Sequence, residues 1–117
     1  MYDHVSLKVK DLEASMRFYK SALGPLGYVS DESGAGFGPP GEPALWLTVA
    51  KGISGTGAHL AFRASDRRAV ERFHAAGLEA GGRDNGGPGL RTDYSPTYYA
   101  AFLFDPDGNN IEAVCTR

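Results

Sequence analysis

Three side chains of metal-ligand type sit in short apolar runs. They are His4 in "DHVSL" (3–7), His59 in "AHLAF" (58–62) and Glu112 in "NNIEAVC" (109–115). Two neutral imidazoles and one carboxylate suit a divalent first-row ion, and three protein ligands leave positions for water or substrate. No short motif joins them, so only the fold can bring them together. Other residues could serve beside such a centre. Tyr98 or Tyr99 could carry a proton, strand alternation turning only one of the two inward, and Tyr94 and Asp93 lie on the nearby irregular segment. Arg91 suits an anionic substrate group. Each residue also has a plainer reading. A histidine at a strand start often bonds a carbonyl, Glu112 could pair with Arg63 or Lys8, and the tyrosines could be packing residues. His74, inside a helical pattern, reads as a surface residue, and Cys115 as part of an apolar strand.

The elements that would position these groups come from an internal repeat. Residues 3–23, "DHVSLKVKDLEASMRFYKSAL", overlay residues 58–78, "AHLAFRASDRRAVERFHAAGL", without a gap. Identities fall at His4/His59, Asp11/Asp66, Ala14/Ala69, Arg17/Arg72, Phe18/Phe73 and Leu23/Leu78. Self-similarity at a fixed offset signals a duplicated architecture. Each copy opens with a period-two strand, Val5, Leu7 and Val9 on one face and His4, Ser6 and Lys8 on the other. An aspartate then stands at a helix N-cap position. The helix stripe is Leu12, Met16, Tyr19 and Leu23 in the first copy, and Ala69, Phe73, Ala76 and Ala80 in the second. Gly24–Pro25 and Gly81–Gly82 stop the helices.

Three short strands are expected after each helix: near 27–31, 34–38 and 44–50, then near 81–84, 98–104 and 109–115, the last two joined by the turn "DPDG". Residues 84–97 read as a longer irregular loop. The modules divide at about 54/55, within a single domain. Alternation places His4 with Ser6, His59 with Ala61 and Arg63, and Glu112 with Asn110 and Val114, all away from the helices.

Bulk properties narrow the partners. The chain has 117 residues, 42% of them apolar, with a formal net charge of −2. That is enough for one packed domain and argues against disorder. Basic residues are scattered, so a nucleic-acid partner is not expected. No signal sequence or membrane-length apolar run is visible, and one cysteine suits a reducing compartment, so a cytoplasmic protein is expected.

The opening "DHVSLKV.DLEAS..FY...L" and the closing "F.FDPDGNNIEAV" resemble the vicinal oxygen chelate superfamily. Its members include glyoxalase I, extradiol dioxygenases, fosfomycin-resistance enzymes, methylmalonyl-CoA epimerase and metal-free bleomycin-resistance proteins. The resemblance implies an α+β fold in which two βαβββ modules form a curled eight-stranded mixed sheet around a cleft, with one helix per module outside. It implies one divalent ion (Fe, Mn, Ni, Zn or Co) on His4, His59 and Glu112. Aligning "LWLTV" with "IEAVC" puts Trp46 where glyoxalase I has a fourth ligand, and an indole N–H cannot ligate a cation. The three-ligand set is similar to that of extradiol and fosfomycin-resistance enzymes. Phe102 takes the place of the extradiol tyrosine, and Ser6 that of a substrate-contacting threonine. Ser6, Trp46, Arg91, Tyr94 and Phe102 are thus the substrate-binding candidates. The resemblance implies lyase, isomerase or dioxygenase chemistry on a small oxygen-rich metabolite, or else sequestration of a small molecule as in bleomycin-resistance proteins. It also implies a homodimer in which two chains can share the ligands.

Overall fold

The computed structural model describes residues 1–51 and 57–117. The expected module boundary at 54/55 lies outside the described residues. The first module is β1 (Val5–Val9), α1 (Leu12–Leu23), a 3-10 turn (Gly24–Leu26), β2 (Val29–Ser30), β3 (Gly36–Gly38) and β4 (Leu45–Val49). The second is β5 (His59–Arg63), α2 (Arg67–Glu79), β6 (Arg83–Leu90), β7 (Tyr99–Phe104) and β8 (Asn110–Cys115).

Both helices begin as the sequence dictates. The Asp11 carboxylate accepts the Ala14 N–H at 3.1 Å, and Asp66 that of Ala69 at 2.7 Å. Each satisfies one amide that helix geometry leaves without an intrahelical partner, worth about 1 kcal/mol. The α1 core face is Phe18, Tyr19, Ala22 and Leu23 with Ser15, while Leu12 and Met16 are only partly buried. The α2 face is Ala69, Val70, Phe73 and Gly77. Gly77 marks a close approach: a Cβ there would lie 2.3 Å from Leu103 Cδ1 and 3.4 Å from Phe18 Cε1.

The eight strands form two four-stranded mixed sheets, ordered β1-β4-β3-β2 and β5-β8-β7-β6. In each, the first strand pairs in parallel with the last of its module. The sheets do not close on one another within a chain, and β1 and β5 are both edge strands. Register places Ser6 beside Trp46 and Ala61 beside Glu112. Trp46 thus stands in the first module where Glu112 stands in the second.

The glycine-rich segment departs from the sequence expectation. Residues 83–90 are paired strand rather than loop, with register shifts against β7 between Asp84 and Gly86 and between Gly86 and Gly89. The bulges absorb the residues that defeat simple alternation. Only residues 91–98 connect β6 to β7.

Polar ties cross between the modules: the Tyr28 hydroxyl donates to the Arg63 carbonyl at 3.1 Å, and a larger group gathers at the β7–β8 turn. The "DPDG" turn closes through Gly108 N–H to Asp105 O at 2.9 Å, with Gly108 at φ 88°. Asp105, 1% exposed, accepts the N–H groups of Asp107 and Asn109, the Asn109 side-chain amide, and the Tyr19 hydroxyl at 2.5 Å. Asp107 in turn accepts the Lys10 N–H at 3.1 Å. The β7–β8 turn is therefore moored to α1 of the first module. Burial and the neighbouring Asp105 carboxylate raise the Tyr19 pKa far above the ordinary phenol value.

Candidate functional site

The helix-distal face of the second sheet gathers the chemistry. On β8, Ile111, Ala113 and Cys115 are buried on the helix side, which turns Glu112 to the other face. Phe102 and Ala61 flank Glu112 in register on β7 and β5. Glu112 is 2% exposed, yet both carboxylate oxygens have partners. Oε1 lies 2.8 Å from His59 Nε2, and Oε2 accepts the Tyr98 hydroxyl. A carboxylate can only accept, so Nε2 carries the proton in the His59 pair. The Arg63 or Lys8 partner considered for Glu112 is replaced by these two.

The two tyrosines part company, as alternation requires. Tyr98 faces Glu112, whereas the Tyr99 hydroxyl donates to Glu71 on α2 at 2.7 Å. The Tyr98 pKa is pushed up to about 12, first by desolvation and then by the adjacent Glu112 carboxylate. That of Tyr99 is also raised, chiefly by its bond to Glu71.

Phe102 forms a floor beside this group. Its ring centroid is 6.3 Å from that of His59, and the Arg91 guanidinium carbon lies 5.3 Å from it. Tyr94 packs edge-on against Tyr98 at 5.0 Å while remaining largely exposed. Asp93 is exposed on the same connection.

The remaining candidates sit elsewhere. The His4 imidazole, half-exposed just before β1, bonds Asp3 Oδ1 through Nδ1 at 2.8 Å. Among the described residues of one chain, no three His, Cys, Asp or Glu side chains form a group that could hold a metal ion. His4 lies just before β1 of the first sheet, whereas His59 opens β5 of the second. Ser6 is exposed on β1 beside half-buried Trp46, whose ring lies against Gly36: a Cβ there would be 2.6 Å from the indole. His74, expected as a surface helix residue, is partly buried and pairs with a carboxylate. Its side chain is 13% exposed, and Nε2 lies 2.9 Å from Asp84 Oδ1. Cys115 is buried and free.

An apolar cleft of about 480 Å³ opens between the sheets, walled by Val5, Tyr28, Phe37, Leu45, Leu60 and Phe62 among others. Among the described residues no helix is long and apolar enough to cross a membrane.

The donor set fits a divalent ion in part. His59 Nε2 and Glu112 Oε1 lie 2.8 Å apart in a hydrogen bond whose proton an ion held by both would displace, and Tyr98 occupies the other carboxylate oxygen. A third ligand must come from outside this group.

Comparison with known proteins gives a consistent picture. The model of the glyoxalase/bleomycin resistance protein/dioxygenase superfamily matches residues 2–113. A solved glyoxalase/bleomycin resistance protein from Albidiferax ferrireducens T118 is 34% identical, with a TM-score of 0.78 and 97% of each chain covered. A glyoxalase/dioxygenase from Nostoc punctiforme is 27% identical, with a TM-score of 0.73, covering 100% of this chain and 91% of that one. A glyoxalase/bleomycin resistance protein/dioxygenase family enzyme from Burkholderia phytofirmans PsJN shares the fold at 19% identity, with a TM-score of 0.76 and 98% of each chain covered. No curated protein matches.

Proposed function

The chain belongs to the glyoxalase/bleomycin resistance protein/dioxygenase superfamily, and from that premise we propose a divalent-metal-dependent enzyme acting on a small oxygen-rich metabolite by lyase, isomerase or dioxygenase chemistry. The observation that carries this reading is the buried Glu112 carboxylate shared between His59 and Tyr98. A buried carboxylate is costly unless paired, and sites that bear such a cost are enriched in function.

In this reading His59 and Glu112 hold the ion, and His4 of a second copy of the chain completes the set. The half-exposed His4 imidazole and the open edges of β1 and β5 favour such sharing. When bound, a divalent ion supplies electrostatic stabilisation to negative charge developing on substrate oxygens. The chain's own residues do the rest. Tyr98 holds Glu112 by Oε2 and so leaves Oε1 to face His59. With its pKa at about 12, Tyr98 keeps its proton at physiological pH and acts as a hydrogen-bond donor. Phe102 and Tyr94 supply an apolar wall, and Trp46 and Ser6 would join it from the second copy.

The test is metal analysis of protein purified without chelator and refed with Fe²⁺, Mn²⁺, Ni²⁺, Co²⁺ and Zn²⁺, together with solution mass. Stoichiometric metal in a dimer, lost in His59→Ala, is expected. Protein that stays metal-free after refeeding overturns the enzyme reading, and a stable monomer overturns the shared site.

The apolar cleft supports a second reading, a binding module that sequesters an apolar or aromatic compound without turnover. Metal-independent binding of such compounds, blocked by Leu60→Arg and unaffected by His59→Ala, would favour it.

A further inference from the structure

Arg91 is held in a way that packing alone does not require. It follows β6, and its N–H bonds the Tyr98 carbonyl at 2.7 Å, which places it beside Tyr98 at the edge of the site. The side chain then folds back over the bulged strand. Nη1 donates to Gly89 O at 2.8 Å and Nη2 to Gly87 O at 2.7 Å, while the guanidinium lies over Phe102. The glycines make this bed. A Cβ on Gly86 would lie 3.1 Å from Phe102 Cδ1 and 3.2 Å from Arg91 Nη2, and one on Gly89 would lie 3.1 Å from Nη1. Gly86 also has φ 145°, a conformation L side chains rarely adopt. The "GGPG" run thus leaves a slot shaped for a flat cation.

Among the described residues no carboxylate pairs with the charge in that slot. Every ion pair among the described residues joins a histidine to a carboxylate, and none involves Arg91. Two of its five N–H donors are used on carbonyls, which fix the fork without neutralising it. A half-buried, immobilised guanidinium beside an aromatic floor is preorganised for a planar oxyanion, and its ordering cost is already met.

We infer that Arg91 is a specificity-determining residue that binds a carboxylate on the substrate, one whose organic part lies along Phe102 and Tyr94. The substrate class is then an organic acid that presents its reacting oxygens to His59 and Glu112 and its carboxylate to Arg91. Naming a substrate in this way rests on the metal-enzyme reading, but carboxylate binding by Arg91 does not need the ion.

The test exploits that independence. Full-length protein, stripped of metal, is titrated with benzoate and with benzamide at low ionic strength, and the Arg91 Nε–H resonance is followed by NMR. Benzoate should move that resonance, and benzamide should bind about tenfold more weakly or worse. Arg91→Gln should abolish the preference, and Arg91→Lys should keep part of it. Equal affinity for the two probes, or a preference that survives Arg91→Gln, overturns the inference. If the glutamine variant does not fold, the wild-type comparison and the lysine variant still decide. Failure of the metal reading shows separately, in metal analysis, and leaves this result standing.

Discussion

Replacing Tyr98 with Phe removes one oxygen atom and keeps the ring. In the wild type that hydroxyl donates to Oε2 of a carboxylate that is 2% exposed. Among the described residues, the variant leaves Glu112 with His59 as its remaining side-chain partner. A hydrogen bond to a charged group contributes about 1.5–3 kcal/mol, and the partial exposure of Tyr98 favours the lower half of that range. At roughly 4 °C per kcal/mol for a chain of this length, the melting temperature should fall by about 6–9 °C. Tyr99→Phe is the control, because its bond to Glu71 is at the surface and its loss should cost much less. The ionisation of Tyr98 offers a second check. Its folded pKa lies above its unfolded value, so the stability linked to that proton is fully present below the unfolded pKa. It is lost as pH rises from about 10 through about 12. The wild-type minus Tyr98→Phe difference in tyrosinate absorbance should therefore titrate near pH 12. A melting temperature within about 2 °C of wild type, or a difference titration near the ordinary phenol value, would refute the argument that Tyr98 secures Glu112.

Other outcomes follow from the packing and the charges. Tyr19→Phe deprives buried Asp105 of its cross-module donor and should destabilise by about 2–3 kcal/mol in chemical denaturation. Gly77→Ala places a methyl 2.3 Å from Leu103 Cδ1 and should cost about 1–3 kcal/mol by overpacking, read from the denaturation midpoint. Asp84 is held below the ordinary carboxylate range, first by the Gly86 N–H and then by His74. Its contribution should be present above the ordinary aspartate pKa and disappear as pH falls through the lowered one, which a carboxyl NMR titration with a His74→Gln control can follow.

Much of the architecture is legible in the sequence because duplication and alternation are local signals. Asp11 and Asp66 mark both helix starts, and period-two patterning turns His59 and Glu112 to one face. The alignment of "LWLTV" on "IEAVC" reappears as sheet register, Ser6 beside Trp46 and Ala61 beside Glu112. The chain reads less clearly where side-chain contacts, near or far along the chain, decide the structure. Glycines at 86, 87 and 89 suggest a loop until the Arg91 guanidinium is seen lying on them. The Asp105–Tyr19 bond spans 86 positions, and nothing near either residue announces the other. Separation of His4 from His59 depends on how two sheets are oriented, which strand patterning does not encode.

That long bond also sets an order of events during synthesis. Tyr19 leaves the ribosome with the first module, but its carboxylate partner is translated 86 residues later, roughly 4–17 s at ordinary elongation rates. Until then the α1 face that will receive the "DPDG" turn lacks its partner. The nascent first module must wait for the last hairpin, and Glu112 arrives with that same hairpin. The anchor that completes the domain and the carboxylate at the centre of its site therefore emerge together, so a half-made chain has no site to expose.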